Sequence, residues 1–197
     1  MKAEHSTVKK HILDTARPFI SGRGFASVGL NEILQAAGVP KGSFYHYFGS
    51  KEAFGEALLE AYFAEYSILL ETFLTQPNQN SAQRLMAYWQ HWIEVEASCD
   101  PTGKCLAVKL AAEVSDLSEN MRKVLEQGTG RIIARIAQAL EEGVADGSLL
   151  AWPEPREAAE NLYQLWLGAC LRAKITRNRR SLESALIATR RMLGLSE

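Results

Sequence analysis

Residues 38–54 read GVPKGSFYHYFGSKEAF, and this stretch decides the fold. Gly38 follows an apolar-periodic segment, as glycine often does just beyond the C-terminus of a helix. Pro40 is tolerated in the first turn of a helix, because its missing N–H has no partner there anyway. The pattern therefore predicts two short helices, near 29–37 and 40–48, joined by a tight turn in the layout of a helix-turn-helix.

Helical spacing divides the second short helix into two faces. Phe44 and Phe48 are four residues apart, so they share one face and are expected to pack into the core. The outer face offers a cation, a glycine, a phenol and an imidazole, namely Lys41, Gly42, Tyr45 and His46. Such groups hydrogen-bond phosphates and base edges, although a lysine on a helix can also be merely solvated. The polar ends of the two outer rings need partners, which favours a binding surface over plain packing.

A long helix is expected to follow over residues 51–75. Ser50 is a suitable N-cap, and Glu52 is favourably placed near the positive end of the helix. Lys51 stands at the start of this helix, where an anion is also favoured.

The rest of the chain has helical periodicity and no strand-like alternation. The further helices are expected at about 7–21, 80–98, 102–114, 118–145, 154–176 and 181–193. We therefore predict an all-α protein of about nine helices, with a helix-turn-helix domain at 1–50 and a helical bundle at 51–197.

Composition excludes several classes of protein. The N-terminal residues are polar and no long uncharged apolar run occurs, so a cytoplasmic protein without a transmembrane helix is expected. Three widely spaced cysteines and four scattered histidines argue against a disulfide framework, a structural zinc site or another metal cofactor. Residues 1–51 carry seven basic and three acidic groups, whereas the remainder is net acidic. A basic head on an acidic body suggests a polyanionic partner.

Residues 24–54, GFASVGLNEILQAAGVPKGSFYHYFGSKEAF, resemble the N-terminal helix-turn-helix of the TetR family of transcriptional regulators, and the likeness covers about residues 7–60. The resemblance implies an all-α homodimer that binds a palindromic operator in double-stranded DNA and represses a gene. It implies DNA contacts by Lys41, Gly42, Ser43, Tyr45, His46, Tyr47 and Lys51. One departure is Val28-Gly29, where the family often has a hydroxyl residue; Ser27 and Asn31 are the alternative sources of that group.

A second constellation is CDPTGKCLAVKLAAEVSDLSENM, residues 99–121. We expect Asp100 or Thr102 to cap a helix, which places Cys105 in or just beyond its first turn. A helix N-terminus, the adjacent Lys104 and the same-face Lys109 all favour the nucleophilic thiolate, although a buried inert cysteine is also common. No histidine is near in sequence to act as a base, so a cysteine-dependent enzyme is not favoured.

Residues 103–122 and 162–177 are more closely similar to the branch of the TetR family that responds to electrophiles and oxidants through cysteine, and this similarity runs over nearly the whole chain. It implies that Cys105 is the sensor. Leu162, Trp166, Cys170 and Lys174 are spaced by four. Lys174 therefore either approaches the thiol as a stabilising cation or nucleophile, or snorkels at a helix end.

The body of such regulators usually holds a ligand, and aromatic residues are the candidates to line its pocket. Trp89, Trp92, Trp166 and Cys170 lie on apolar helix faces, and either plain packing or a pocket wall accounts for them. A small reversible hydrophobic effector is therefore the alternative to a covalent one. Apolar faces on the last two helices suggest the dimer interface; they comprise Leu162, Leu165, Ala169, Leu182, Leu186, Ala188 and Met192.

Overall fold

The computed structural model describes residues 2–97 and 105–195, and side chains from 7–96 and 105–195. Over those residues the chain forms nine helices and no strand, which confirms the all-α prediction. The helices are α1 (Lys2–Arg23), α2 (Leu30–Ala37), α3 (Lys41–Phe48), α4 (Lys51–Leu74), α5 (Ser81–Ala97), α6 (Leu106–Leu117), α7 (Glu119–Ala145), α8 (Pro155–Thr176) and α9 (Arg180–Met192). Asp100, Thr102 and Lys104, which figured in the sequence predictions, lie outside the described residues.

The chain divides into two compact units. Residues 1–64 and 100–128 form the first, and residues 65–99 and 129–197 form the second. The first unit therefore joins the helix-turn-helix to the start of α4, to α6 and to the start of α7. This division does not test the predicted functional boundary between residues 1–50 and 51–197, which stays a prediction.

The short helices of the first unit are set by their ends. Gly38 adopts the left-handed conformation (φ 66°) after α2, and its N–H donates to the Gln35 carbonyl, as expected. Pro40 was expected inside the first turn of α3, but it is the N-cap, with an extended ψ of 149°. Ser50 accepts the Ala53 N–H on Oγ at 3.0 Å, which confirms it as the cap of α4.

Three phenylalanines hold α3 against α4 in the core of the first unit. Phe44, Phe48 and Phe54 are all buried, and their ring centroids lie 5.0–5.4 Å apart. Such aromatic contacts add to the free energy of simple area burial. The inner face predicted for the second short helix is thus confirmed, and its position fixes which residues face outward.

The core of the second unit is aromatic. Trp89 on α5 and Trp166 on α8 stack at 4.8 Å between centroids with an interplanar angle of 8°. The Trp166 indole donates to Thr189 Oγ1 on α9 at 3.0 Å. This hydrogen bond satisfies a fully buried donor and fixes α8 against α9.

A carboxylate closes the start of α5. Asp146 accepts both the backbone N–H and the hydroxyl of Ser81 at 2.8 Å. Hydrogen bonds from the Ser148 side chain, and then from Ser81, hold the pKa of Asp146 well below its ordinary value, because they favour the charged form.

Within the described ranges, none of the helices is long and apolar enough to cross a bilayer.

Candidate functional site

The outer face of α3 is open to solvent, as the helical spacing predicts. Lys41, Gly42 and His46 are exposed, and Tyr45 keeps 45% of its surface accessible despite its aromatic ring. A Cβ at Gly42 would meet nothing within 4 Å, so another backbone can approach there. Exposed polar groups of this kind are what groove readout requires, and the individual DNA contacts stay predictions.

Ring contacts orient the aromatic side chains of α3. Tyr45 packs edge-on against the buried Phe44 at 5.6 Å, and Tyr47 packs against His46 at 5.5 Å. Tyr47 and Ser43 are half-buried, so they present less surface than their neighbours. Because the rings are braced, each phenol can form a hydrogen bond with little further loss of side-chain freedom.

Lys51 is held by the turn between α1 and α2. Its ammonium donates to the Ala26 carbonyl at 3.5 Å and lies 5.0 Å from the centroid of the Phe25 ring. Gly29 is the N-cap of α2 and makes no side-chain capping bond, while Ser27 and Asn31 are exposed. The hydroxyl residue that the family often has at this position is therefore not replaced by another side chain in capping α2.

Cys105 was expected in or just beyond the first turn of a helix capped by Asp100 or Thr102, but α6 begins later than that. Cys105 is the N-cap of α6 rather than part of its first turn, because its ψ of 108° is not helical and α6 begins at Leu106. The side chain is 7% exposed. Its carbonyl accepts the Lys109 N–H at 3.3 Å, so the residue lies at the positive end of a twelve-residue helix, and its side chain makes no capping hydrogen bond.

Tyr62 is the neighbour of Cys105 that sequence reasoning missed. Its hydroxyl donates to the Cys105 sulfur at 3.7 Å, and its ring faces the Arg17 guanidinium at 5.8 Å. Tyr62 is itself buried. The only sequence signal was a phenol on an apolar face of α4, which needs a partner for its hydroxyl but does not say which.

Lysine 109 does not direct its charge at the thiol in the way the spacing implied. The Lys109 ammonium donates to the Gly22 carbonyl at 3.2 Å, near the negative end of α1. Glu113, one turn further along α6, accepts the N–H groups of Phe25 and Ala26 at 3.1 and 2.7 Å. Both contacts lie within the first unit, where α6 meets the turn after α1.

The residues of α8 that are spaced four apart lie along one side of the helix. Leu162, Trp166 and Cys170 are completely buried, and Lys174 is half-buried in the last turn. Cys105 belongs to the first unit and Lys174 to the second, and the approach of one to the other stays a prediction.

The candidate pocket residues of the second unit are densely stacked. Trp92 packs edge-on against Trp89 at 5.3 Å and against Trp166 at 5.8 Å. The Trp89 indole N–H is buried without a hydrogen-bond acceptor in the described part of the chain. A buried donor of this kind is uncommon, so a pocket role for these residues stays open.

The apolar faces expected at a dimer interface are partly used inside the chain. Leu162, Ala169 and Leu182 are buried within the second unit, because α8 packs on α9. The other predicted residues, Leu165, Leu186, Ala188 and Met192, are half-buried, while Leu171, Ile175 and Ile187 are exposed, and the dimer interface stays a prediction.

Comparison with known proteins places both parts of the chain among regulators. Residues 12–58 match the family model of bacterial regulatory proteins, tetR family, and residues 81–189 match that of the tetracyclin repressor-like C-terminal domain. The HTH-type transcriptional repressor NemR of Escherichia coli K12 is 44% identical over 97% of this chain and 96% of its own. The transcriptional regulator AcuR of Cereibacter sphaeroides is 37% identical over 79% of this chain and 71% of its own.

A solved structure agrees with the sequence comparison. The crystal structure of the reduced form of E. coli NemR has a TM-score of 0.88 and 44% identity, and the match covers 96% of each chain. The similarity of nearly the whole chain to one repressor of the TetR family, which the sequence predicted, is thereby confirmed. These relatives are named as transcriptional repressors or regulators, not as enzymes.

Proposed function

Because the chain belongs to the TetR family of transcriptional regulators, we propose that this repressor binds a palindromic operator as a homodimer in the cytoplasm. We further propose that it leaves the DNA when Cys105 reacts with an electrophile or an oxidant. A cysteine sensor fits the likeness to NemR, for which there is a crystal structure of the reduced form.

The outer face of α3 is the proposed reading surface. Lys41 and the phenols of Tyr45 and Tyr47 supply contacts to phosphates, and His46 and Gly42 face the base edges. In a two-fold dimer, two copies of α3 reach half-sites about 34–36 Å apart, which is one turn of B-DNA. The same symmetry then requires a palindromic operator.

The environment of the Cys105 sulfur is the observation that supports its role as the sensor. Cys105 is the N-cap of α6 and its sulfur accepts a hydrogen bond from Tyr62; both interactions are stronger for a thiolate than for a thiol, whereas burial of the side chain opposes the charge. Toward a maleimide, the thiolate adds to the alkene carbon, a C–S bond forms, and the neighbouring carbon takes a proton from water. The adduct adds a bulky group at a residue that is 7% exposed, so neighbouring side chains must move.

Oxidation is the second proposed route at the same sulfur. Hypochlorite converts the thiolate to a sulfenic acid and releases chloride. We propose that the Lys174 amine then attacks the sulfur and expels water, which leaves an S–N bond. Lys174 lies half-buried in the last turn of α8, four residues beyond Cys170 on the same helix face.

A reversible hydrophobic effector is the alternative. The unsatisfied N–H of Trp89, buried beside Trp92 and Trp166, favours it, because an acceptor on a small ligand would satisfy that donor.

Operator affinity measured before and after treatment with N-ethylmaleimide tests the proposal. The wild type is expected to lose affinity, and Cys105→Ser is expected to keep it. Cys170→Ser is the matched control, because Cys170 is completely buried and should not react first. Equal loss of affinity in wild type and Cys105→Ser would exclude Cys105 as the sensor. A response of Cys105→Ser to non-reactive hydrophobic compounds would favour the alternative.

A further inference from the structure

One side of α6 carries polar residues toward the helix-turn-helix. Lys109 and Glu113 follow the N-cap Cys105 at steps of four residues, so they lie along the same side of α6. They reach the backbone of residues 22–26, where α1 stops and the chain turns toward α2.

This turn is shaped to accept a carboxylate. Gly24 has a positive φ of 93°, and the next two N–H groups, of Phe25 and Ala26, both donate to Glu113. Consecutive N–H groups beside a left-handed residue form an anion-binding concavity. The fit is close, because a Cβ at Gly24 would lie 2.8 Å from Glu113 Oε2.

The two contacts are complementary in charge. The carboxylate meets two N–H donors of the turn, and the Lys109 ammonium meets the Gly22 carbonyl at the negative end of α1. The same turn also receives the ammonium of Lys51 from α4 at the Ala26 carbonyl. The turn is therefore the point at which α1, α4 and α6 are tied together inside the first unit.

We infer that Lys109 and Glu113 are positioning residues for DNA binding, which fasten the turn after α1 to α6. They hold α1 and α2 in the arrangement that presents α3, and they touch no DNA themselves. When Cys105 is modified, displacement of the N-terminus of α6 weakens the same contacts and passes to the turn. This second step rests on the proposed function, whereas the first does not depend on it.

Glu113→Gln tests the first step. The amide keeps one acceptor but turns its NH₂ toward the other N–H, so operator affinity is expected to fall roughly tenfold, since bonds to a charged acceptor are the strong ones. Asp116→Asn is the matched control, because Asp116 is an exposed carboxylate on the same helix and its loss changes net charge equally. Affinity for an unrelated duplex should change equally little in both variants.

A melting curve of each variant separates positioning from unfolding. If Glu113→Gln does not fold, Lys109→Gln, which removes the contact to Gly22 alone, replaces it. Operator affinity equal to that of Asp116→Asn overturns the inference. So does a loss that is equal for operator and unrelated DNA, because positioning of α3 matters only for a specific complex.

Treatment with N-ethylmaleimide tests the second step. Wild-type affinity is expected to fall to about the level of Glu113→Gln, whereas the variant changes less than about threefold, because its contact is already weakened. Losses of the same factor in both proteins overturn the route through Glu113. If the wild type does not respond at all, the proposed sensor fails and this second step with it, while the comparison of Glu113→Gln with Asp116→Asn still decides the first.

Discussion

Tyr62→Phe removes the hydroxyl that donates to the Cys105 sulfur at 3.7 Å and leaves the buried ring in place. A hydrogen bond to a charged group contributes about 1.5–3 kcal/mol, and the length of this one points to the lower end. A loss of about 1.4 kcal/mol lowers the thiolate population roughly tenfold. The thiolate that remains is more basic and hence roughly threefold more nucleophilic. The net expectation is that alkylation of Cys105 at neutral pH slows roughly threefold.

The measurement is the rate of N-ethylmaleimide addition under excess reagent, followed by mass spectrometry of the peptide that contains Cys105. Tyr66→Phe is the control, since it also removes a hydroxyl, one that is hydrogen-bonded to Tyr88 at 2.7 Å. That variant should react at the wild-type rate. An unchanged or faster rate in Tyr62→Phe would show that the hydroxyl does not stabilise the thiolate, and the reasoning would be refuted.

Three further predictions concern stability and DNA binding. Gly128→Ala should lower the melting temperature by several degrees, because its Cβ would lie 2.3 Å from the Phe63 ring, and overpacking of about 1–3 kcal/mol outweighs the better helix propensity of alanine; Gly130→Ala, with nothing within 4 Å, should raise it. Asp146→Asn should lower the melting temperature at neutral pH, and the difference from wild type should shrink below pH 3.8, since a lowered pKa gives stability that is lost on protonation. Lys41→Ala should reduce the slope of log affinity against log salt by about 1 per recognition helix, and an unchanged slope would remove Lys41 from the phosphate contacts.

Local patterns were sufficient for the fold and for the faces of α3. Phe44 and Phe48 are buried and Lys41 is exposed because a spacing of four residues fixes which side chains share a helix face. Helix ends were less predictable. Cys105 became the N-cap of α6 although it has no side-chain capping group, because the start of a helix depends on its backbone angles as well as on residue preference.

Contacts between distant segments were beyond the reach of the sequence. Tyr62 and Cys105 are 43 residues apart, and Glu113 lies 88 residues from Phe25. Periodicity within one helix says nothing about which other helix its side chains meet. A buried phenol indicates only that some acceptor exists, and an acidic residue on an amphipathic helix is expected first in solvent.

The first unit is built from two separate segments of the chain, and this affects the order in which its helices can fold. Its two segments, residues 1–64 and 100–128, are separated by residues 65–99, which belong to the second unit. During synthesis α1, α2 and α3 leave the ribosome well before α6. Until Glu113 arrives, the N–H groups of Phe25 and Ala26 hydrogen-bond to water. Closing that long loop is an entropic barrier that local helices do not face. The helix-turn-helix and the helix headed by Cys105 thus complete their folding together.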